Sequence, residues 1–540
     1  MKNGIYHSGP RLTRRSLIQA GAWGYAASFL ASCRILPDSF FRSSDAAGRE
    51  KERGLLHNED CTDIFVGQTF PPGQAGETID RYVDVLAEAG VNTLMVNTNG
   101  RRTNYRSDVW ESFWDGYDPA GPENQPFFLE VPAERRERFR KMIHNMWAVH
   151  AQGVDYPARV IRRCRQRGIR PWISLRMNDV HNSKNLKHPF HGAIFRRPEL
   201  FLRGHRGYFA NGLDYAHAEV REHYLALIRE TLERYDIDGL ELDFLREPYL
   251  FSVGREREGQ QILTDWIRGV RSLAERTGRR RGHDVRLGVR VPSCPETADA
   301  LGLDAPLWAR EKLIDRVVAA PRWATLEFAM PLRQWRERLG ETVTLAGGLE
   351  VLYRATPNDI GRQVTREEAT GAAVAVLSEG ADAVYLFNYF QRGWPAGTYR
   401  DMLRAFGSPE ELLRRPRRHA VTYRDVKAPH ESYHPPLPAG GAHLTFTLPL
   451  GPRPAPDWRA EASIGIVTKS AFPPSLSLNG IQGTLNKTRE KAEYTRLVTY
   501  SIPVSAVLGK GEDVISVRAG DANLLKVTSV EIALFPDPPK

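Results

Sequence analysis

Cysteine is scarce in this 540-residue chain: the four thiols are Cys33, Cys61, Cys164 and Cys294, with no Cys-x-x-Cys pair among them. Such spacing excludes a disulfide framework and a thiolate metal knuckle. The apolar run at residues 20–30 is too short to span a bilayer. Basic charge forms no dense block either. The formal net charge of +10 comes from arginine scattered along the chain, which argues against nucleic-acid binding and fits solvated helix faces. His181, His188, His191 and His205 lack the tight spacing of metal ligands, so neither a metal nor another cofactor is expected. The rest is ordinary globular material, 41% hydrophobic and 26% charged, long enough for two or three domains.

The N-terminus reads as an address. Thr13-Arg14-Arg15-Ser16-Leu17-Ile18 precedes the short apolar run, which ends at Leu30-Ala31-Ser32-Cys33. This is the pattern of a twin-arginine export signal with a lipoprotein cleavage box, making Cys33 the acylated first residue of the mature protein. Residues 1–33 are therefore expected to be a signal and 34–59, rich in Ser, Arg, Asp and Gly, a flexible tether. A protein lipid-anchored in the cell envelope, periplasmic or surface-exposed, follows from that reading. The absence of obligatory disulfides suits a route that carries folded proteins.

From residue 60 to about 415, short β-type runs alternate with amphipathic helical stretches, the pattern of a (β/α)8 barrel. Strands are predicted at 63–67, 93–97, 172–178, 239–244, 286–291, 314–319, 344–350 and 383–388. Period-two reading places Leu240, Leu242 and Phe244 on one face of the fourth strand and Gly239, Glu241 and Asp243 on the other. The third, fifth and seventh strands alternate in the same way. A polar face on so many strands would make a poor flat sheet but a good lined pocket. The inward polar groups near the strand ends are Asn97, Arg176, Asn178, Asp243, Arg290 and Glu350, with Tyr385 and Tyr389 on the last strand. They converge on the face where barrel enzymes keep their chemistry. The insertion at 100–155 adds aromatics, Trp114 among them, that could stack on sugar rings or pack the loop onto the barrel.

The stretch Asp238-Gly239-Leu240-Glu241-Leu242-Asp243-Phe244-Leu245-Arg246-Glu247-Pro248 resembles the fourth-strand motif of the glycosyl-hydrolase-like family 10 group, Asp-Gly-x-x-x-Asp-Tyr-x-Arg-x-Pro, at Asp238, Gly239, Asp243, Arg246 and Pro248. It is also similar to the chitinase-type motif, but Leu245 stands where that motif has its acid, so the chitinase mechanism is not implied. The resemblance implies glycosidic-bond hydrolysis of a polysaccharide or oligosaccharide. That chemistry needs one carboxyl group to protonate the leaving oxygen and one to face the cationic sugar centre. Asp243 is the first candidate, expected to stay near solvent, and Glu350, across the mouth, is its partner or else the partner of a lining arginine. Glu241, one pleat deeper, is expected to be bound by Arg176 or Arg290, with a proton-donor role open to it if its pKa is raised. Arg246 and Glu247 would line the exit of the strand. Arg176 and Arg290 could instead hold an anionic substrate group. A non-catalytic polysaccharide-binding protein on the same barrel is the alternative.

Residues 416–540 change to short alternating strands with Pro and Gly turns, an all-β sandwich. Tyr500-Ser501-Ile502-Pro503 and the run from Leu508 to Val517 resemble galactose-binding-like jelly rolls. That resemblance implies either carbohydrate binding or a structural module.

Overall fold

The computed structural model describes residues 52–537 except 396, 522 and 523. The export signal, Cys33 and nearly all of the proposed tether lie outside the described residues. Eight parallel strands close into a barrel: β1 (Gly54–Glu59), β2 (Thr93–Asn97), β3 (Arg170–Arg176), β4 (Gly239–Asp243), β5 (Arg286–Pro292), β6 (Arg316–Ala320), β7 (Thr344–Glu350) and β8 (Ala383–Phe387), with β8 pairing back onto β1. Helices between them carry local stop and start signals. The helix Tyr156–Arg167 opens on Asp155, whose carboxylate accepts from the Ala158 N–H, and closes on Gly168 at φ 73°. Thr365 and Glu368 form a reciprocal capping box on Arg366–Ser378.

The first predicted strand was misplaced. Residues Thr62–Gly67 form a helix that buries Ile64 and Phe65, and β1 lies in the stretch expected to be tether. The reason is an inverted polarity. Outward-facing His57 and Glu59 are buried against the helical layer, where Tyr399 and Tyr82 supply their hydrogen bonds, so the strand lacks the apolar outer face seen elsewhere.

Side chains fill the barrel in layers. At the N-terminal end the Arg316 guanidinium lies 3.6 Å from the Trp172 ring centroid and pairs with Glu52, which also pairs with Arg286 at 3.2 Å. Trp172 demands glycine on its neighbours. A Cβ on Gly239 would sit 2.3 Å from its ring and one on Gly288 2.9 Å. Above it come Asn58, Ser174, Glu241 and Tyr385, and then, at the C-terminal mouth, Arg176, Asp243, Arg290, Glu350 and Phe387.

Beyond the barrel, two antiparallel sheets form the sandwich, one of them running Arg417–Ala420, Leu525–Pro536, Trp458–Val467, Thr495–Ile502 and Thr484–Ala492, the other His443–Leu448, Asp513–Arg518, Ser475–Leu478 and Ile481–Gln482. Residues such as Ile464, Val498, Phe446 and Val517 are buried in its core. Gly371 lets the sandwich approach the barrel closely: a Cβ there would meet the Arg418 carbonyl oxygen at 2.1 Å. The segment following Ala420 returns to the barrel, where the Lys427 carbonyl accepts from the Tyr249 hydroxyl at 3.0 Å.

Candidate active site

Strand register assembles the mouth. Arg176, Asp243 and Arg290 are Cα partners across β3, β4 and β5, so one carboxylate sits between two cations. Nη1 of Arg290 lies 3.2 Å from both oxygens of Asp243, and the Leu245 N–H donates to Oδ1 at 3.1 Å. The Arg290 guanidinium stacks 4.0 Å from the Phe387 ring centroid. Arg176 is held elsewhere, by Asp179 at 3.1 Å and Asp60 at 3.4 Å. Asp243 is only 1% exposed, which corrects the expectation that it stays near solvent. The burial of this acid is matched by a buried cation facing it.

One pleat deeper, Oε1 of Glu241 accepts from Ser174 at 2.7 Å, Tyr385 at 2.9 Å and the Asn58 amide at 3.3 Å, while Oε2 has no partner. No arginine among the described residues binds it, contrary to expectation, because Gly288 is its register neighbour on β5 and Arg290 is turned to Asp243. Burial, reinforced by the nearby Asp243 charge, pushes its pKa up to about 7. Glu350 is in a comparable state. Its Oε1 accepts from the Val351 N–H at 2.9 Å, Oε2 is buried without a partner, and burial raises its pKa to about 8 against the opposing pull of Arg290. No ion pair engages it among the described residues, so the reading in which it neutralises a lining arginine does not hold.

Other candidates have scaffolding contacts. Asn178 donates to the Leu213 and Tyr249 carbonyls at 2.9 Å and accepts from the Leu213 N–H, pinning two loops. Asn97 donates to Asn99 and Ser174 carbonyls at 3.3 and 3.4 Å. The Tyr389 hydroxyl donates to the Glu350 carbonyl at 3.2 Å, and its ring stacks on Trp394. Glu247 pairs with Arg322. Trp114 is buried, stacked on His150 beneath Arg106, in a side cleft with Tyr105 and Arg234 rather than among the mouth carboxyls. Its loop-packing reading prevails.

Several mouth residues were absent from the sequence reading. Asn58 enters with β1. Arg322, Trp323 and Ala324, just after β6, donate their backbone N–H groups at 3.0, 2.8 and 2.7 Å to Asp425, a residue of the segment leading into the sandwich. Trp323 is 41% exposed and Tyr208 40%, and Arg322 lies 5.1 Å from the Tyr208 ring centroid. Together they form an aromatic rim. Glu327, bonded to Ser293 at 2.6 Å, is another buried carboxyl, raised to about 7 by burial.

No protein-family model and no curated protein matches the sequence. Solved structures with similar architecture are glycoside-processing barrels. A cycloisomaltooligosaccharide glucanotransferase from a Paenibacillus species is 10% identical with a TM-score of 0.33, the match covering 90% of this chain and 58% of that one. An α-L-fucosidase from a Vibrio species is 11% identical with a TM-score of 0.35, over 90% and 96% of the two chains. The glycoside hydrolase domain of PgaB from Bordetella bronchiseptica is 11% identical with a TM-score of 0.38, over 66% and 99%.

Proposed function

We propose that this protein is an exported glycoside hydrolase acting on a polysaccharide or oligosaccharide, with Glu350 as proton donor and Asp243 as the carboxylate facing the cationic sugar centre. The observation that carries this reading is the contrast between two inward carboxyls at the barrel mouth. Asp243 is clasped by Arg290, an arrangement that stabilises negative charge. Glu350 has a buried oxygen without a partner and a pKa raised to about 8, so it holds a transferable proton at neutral pH. One acid able to give up a proton and one carboxylate facing the sugar centre are what glycosidic cleavage requires. Glu241, bonded through Tyr385 and Ser174, positions the floor of the site. The Asp-Gly-x-x-x-Asp resemblance on β4 supports the same assignment for Asp243.

The export part of the proposal rests on Arg14-Arg15 and Cys33. Replacing both arginines with lysine is expected to retain the protein in the cytosol, and Cys33→Ser to abolish incorporation of labelled palmitate.

Hydrolysis is tested on an array of glycans with the purified full chain. Asp243→Asn is expected to abolish turnover. Glu350→Gln should lower kcat about 10²–10⁴-fold on natural glycans, and much less on aryl glycosides whose leaving group needs no proton. Unchanged turnover in the Asp243→Asn protein would sink the assignment. A second reading, a polysaccharide-binding protein without turnover, is favoured by the burial of Asp243 and its engagement by Arg290. It predicts retention of glycan with no released product over long incubation.

A further inference from the structure

Among the described residues, three arginines at the mouth have carboxylate partners: Arg176 with Asp60 and Asp179, Arg290 with Asp243, and Arg322 with Glu247. Arg101 has none but donates to the Asp179 and Asn211 carbonyls, and Arg246 has neither a carboxylate nor a carbonyl partner. It is 3% exposed, no carboxylate among the described residues lies within ion-pair distance, and its Nε is buried without a hydrogen-bond partner. Asp179 and Glu350 are near enough to feel its charge without pairing with it. Its guanidinium lies between two aromatic faces, 5.7 Å from the Trp323 ring centroid and 5.6 Å from that of Phe387. Nη2 approaches Nε2 of His181 at 3.4 Å, and the other ring nitrogen of His181 is held by Asp179 at 2.9 Å. Leaving a cation buried and unpaired is costly, so a fork with free donors beside an exposed tryptophan is a binding feature in want of its anion.

Resting on the hydrolase reading above, we propose that Arg246, positioned by His181, forms a subsite for an anionic substituent of the sugar, a carboxylate or a sulfate ester, while Trp323 stacks on the ring that carries it. The anion-binding role expected of Arg176 and Arg290 thus passes to Arg246, since both of those are neutralised by the protein itself. A planar fork with free N–H donors suits a carboxylate or sulfate oxygen pair, and the nearby aromatic rings favour its positive charge.

The test is calorimetric binding by the full chain of three probes of equal length: an oligogalacturonate trimer, its carboxyl-reduced neutral counterpart, and a sulfated galactotriose. The protein should bind at least one anionic trimer ten- to a hundredfold more tightly than the neutral one, the range expected of charge-assisted hydrogen bonds. The carboxylate and sulfate arms distinguish the two sources. Arg246→Gln should remove the preference, and Arg246→Lys should keep part of it through its point charge. Equal affinity for charged and neutral trimers, no binding of any of them, or a preference that survives Arg246→Gln would overturn the proposal. If Arg246→Gln fails to fold, the comparison in the unaltered protein and in Arg246→Lys decides. These are binding readouts, so a protein that discriminates charge but cleaves nothing overturns the hydrolase reading and leaves the subsite standing.

Discussion

Burying Glu350 should cost the protein stability at neutral pH, by an amount that can be worked out. Its carboxyl rises from 4.5 to about 8 on folding. Between those values the native state holds a proton that the unfolded chain has shed, so the group's contribution is fully present below pH 4.5, drains as pH rises, and levels off above pH 8. At about 1.4 kcal/mol per pH unit, the fall between pH 5 and pH 7.5 is roughly 3 kcal/mol. Glu350→Gln keeps the shape and the acceptor for the Val351 N–H at 2.9 Å but cannot ionise. The variant should therefore gain on the unaltered protein by roughly 3 kcal/mol over that interval, and for a barrel of roughly 350 residues this is about 4 °C in midpoint. Glu241, raised to about 7, is present in both proteins and cancels in the difference. Thermal denaturation of both at pH 5 and pH 7.5 supplies the four midpoints. On the proposed role of Glu350 as proton donor, turnover should fall as pH rises through about 8, because a donor must be protonated to donate. A midpoint difference that stays constant with pH, or moves against the variant as pH rises, refutes the argument.

Gly239→Ala places a methyl 2.3 Å from the Trp172 ring and should destabilise the protein by about 1–3 kcal/mol or more, measured as a fall in thermal midpoint. Asp425→Ala strands the three N–H groups of residues 322–324 and loosens the rim that carries Trp323. On a cleaved glycan its expected signature is a raised KM with kcat nearly preserved, since Glu350 and Asp243 are untouched.

The barrel was legible where one rule held, an apolar outer face and a polar inner one. That rule was read on β3, β4, β5 and β7 and put Asp243, Glu241, Arg290 and Glu350 inside, while the alternation of β-type runs with helices placed β2, β6 and β8 to within a residue or two. It failed at β1 because His57 and Glu59 face outward and are satisfied by Tyr82 from the helix before β2 and by Tyr399 from a helix near the other end of the barrel, an arrangement that the pattern of the strand itself does not carry. With β1 lost, Asn58 was lost from the site. Asp425 was out of reach for a different reason: its role depends on a segment about a hundred residues from the loop it caps, arriving only once the sandwich has docked. The partners of Glu241 were also misjudged, since period-two parity gives the direction of a side chain but not which of its neighbours turns toward it.

Strand register gives two acids a single pleat apart on β4 different surroundings. Across the sheet, Asp243 is in register with Arg176 and Arg290, whereas Glu241 is in register with Ser174 and Gly288. Gly288 is itself imposed by the layer below, where the Trp172 ring leaves 2.9 Å for any Cβ. A residue chosen to pack tryptophan at the closed end of the barrel therefore denies Glu241 a cation, and the hydroxyls of Ser174 and Tyr385 bind it instead without compensating its burial. Arg290 makes no hydrogen bond to Glu241 and turns to Asp243, the Pro321 carbonyl and the Phe387 face. The arginine-paired carboxyl at the mouth and the one beneath it, raised to about 7 by burial, thus have a common cause in the packing of the barrel floor. A cation introduced at position 288 would be expected to clash with Trp172 before it could reach Glu241.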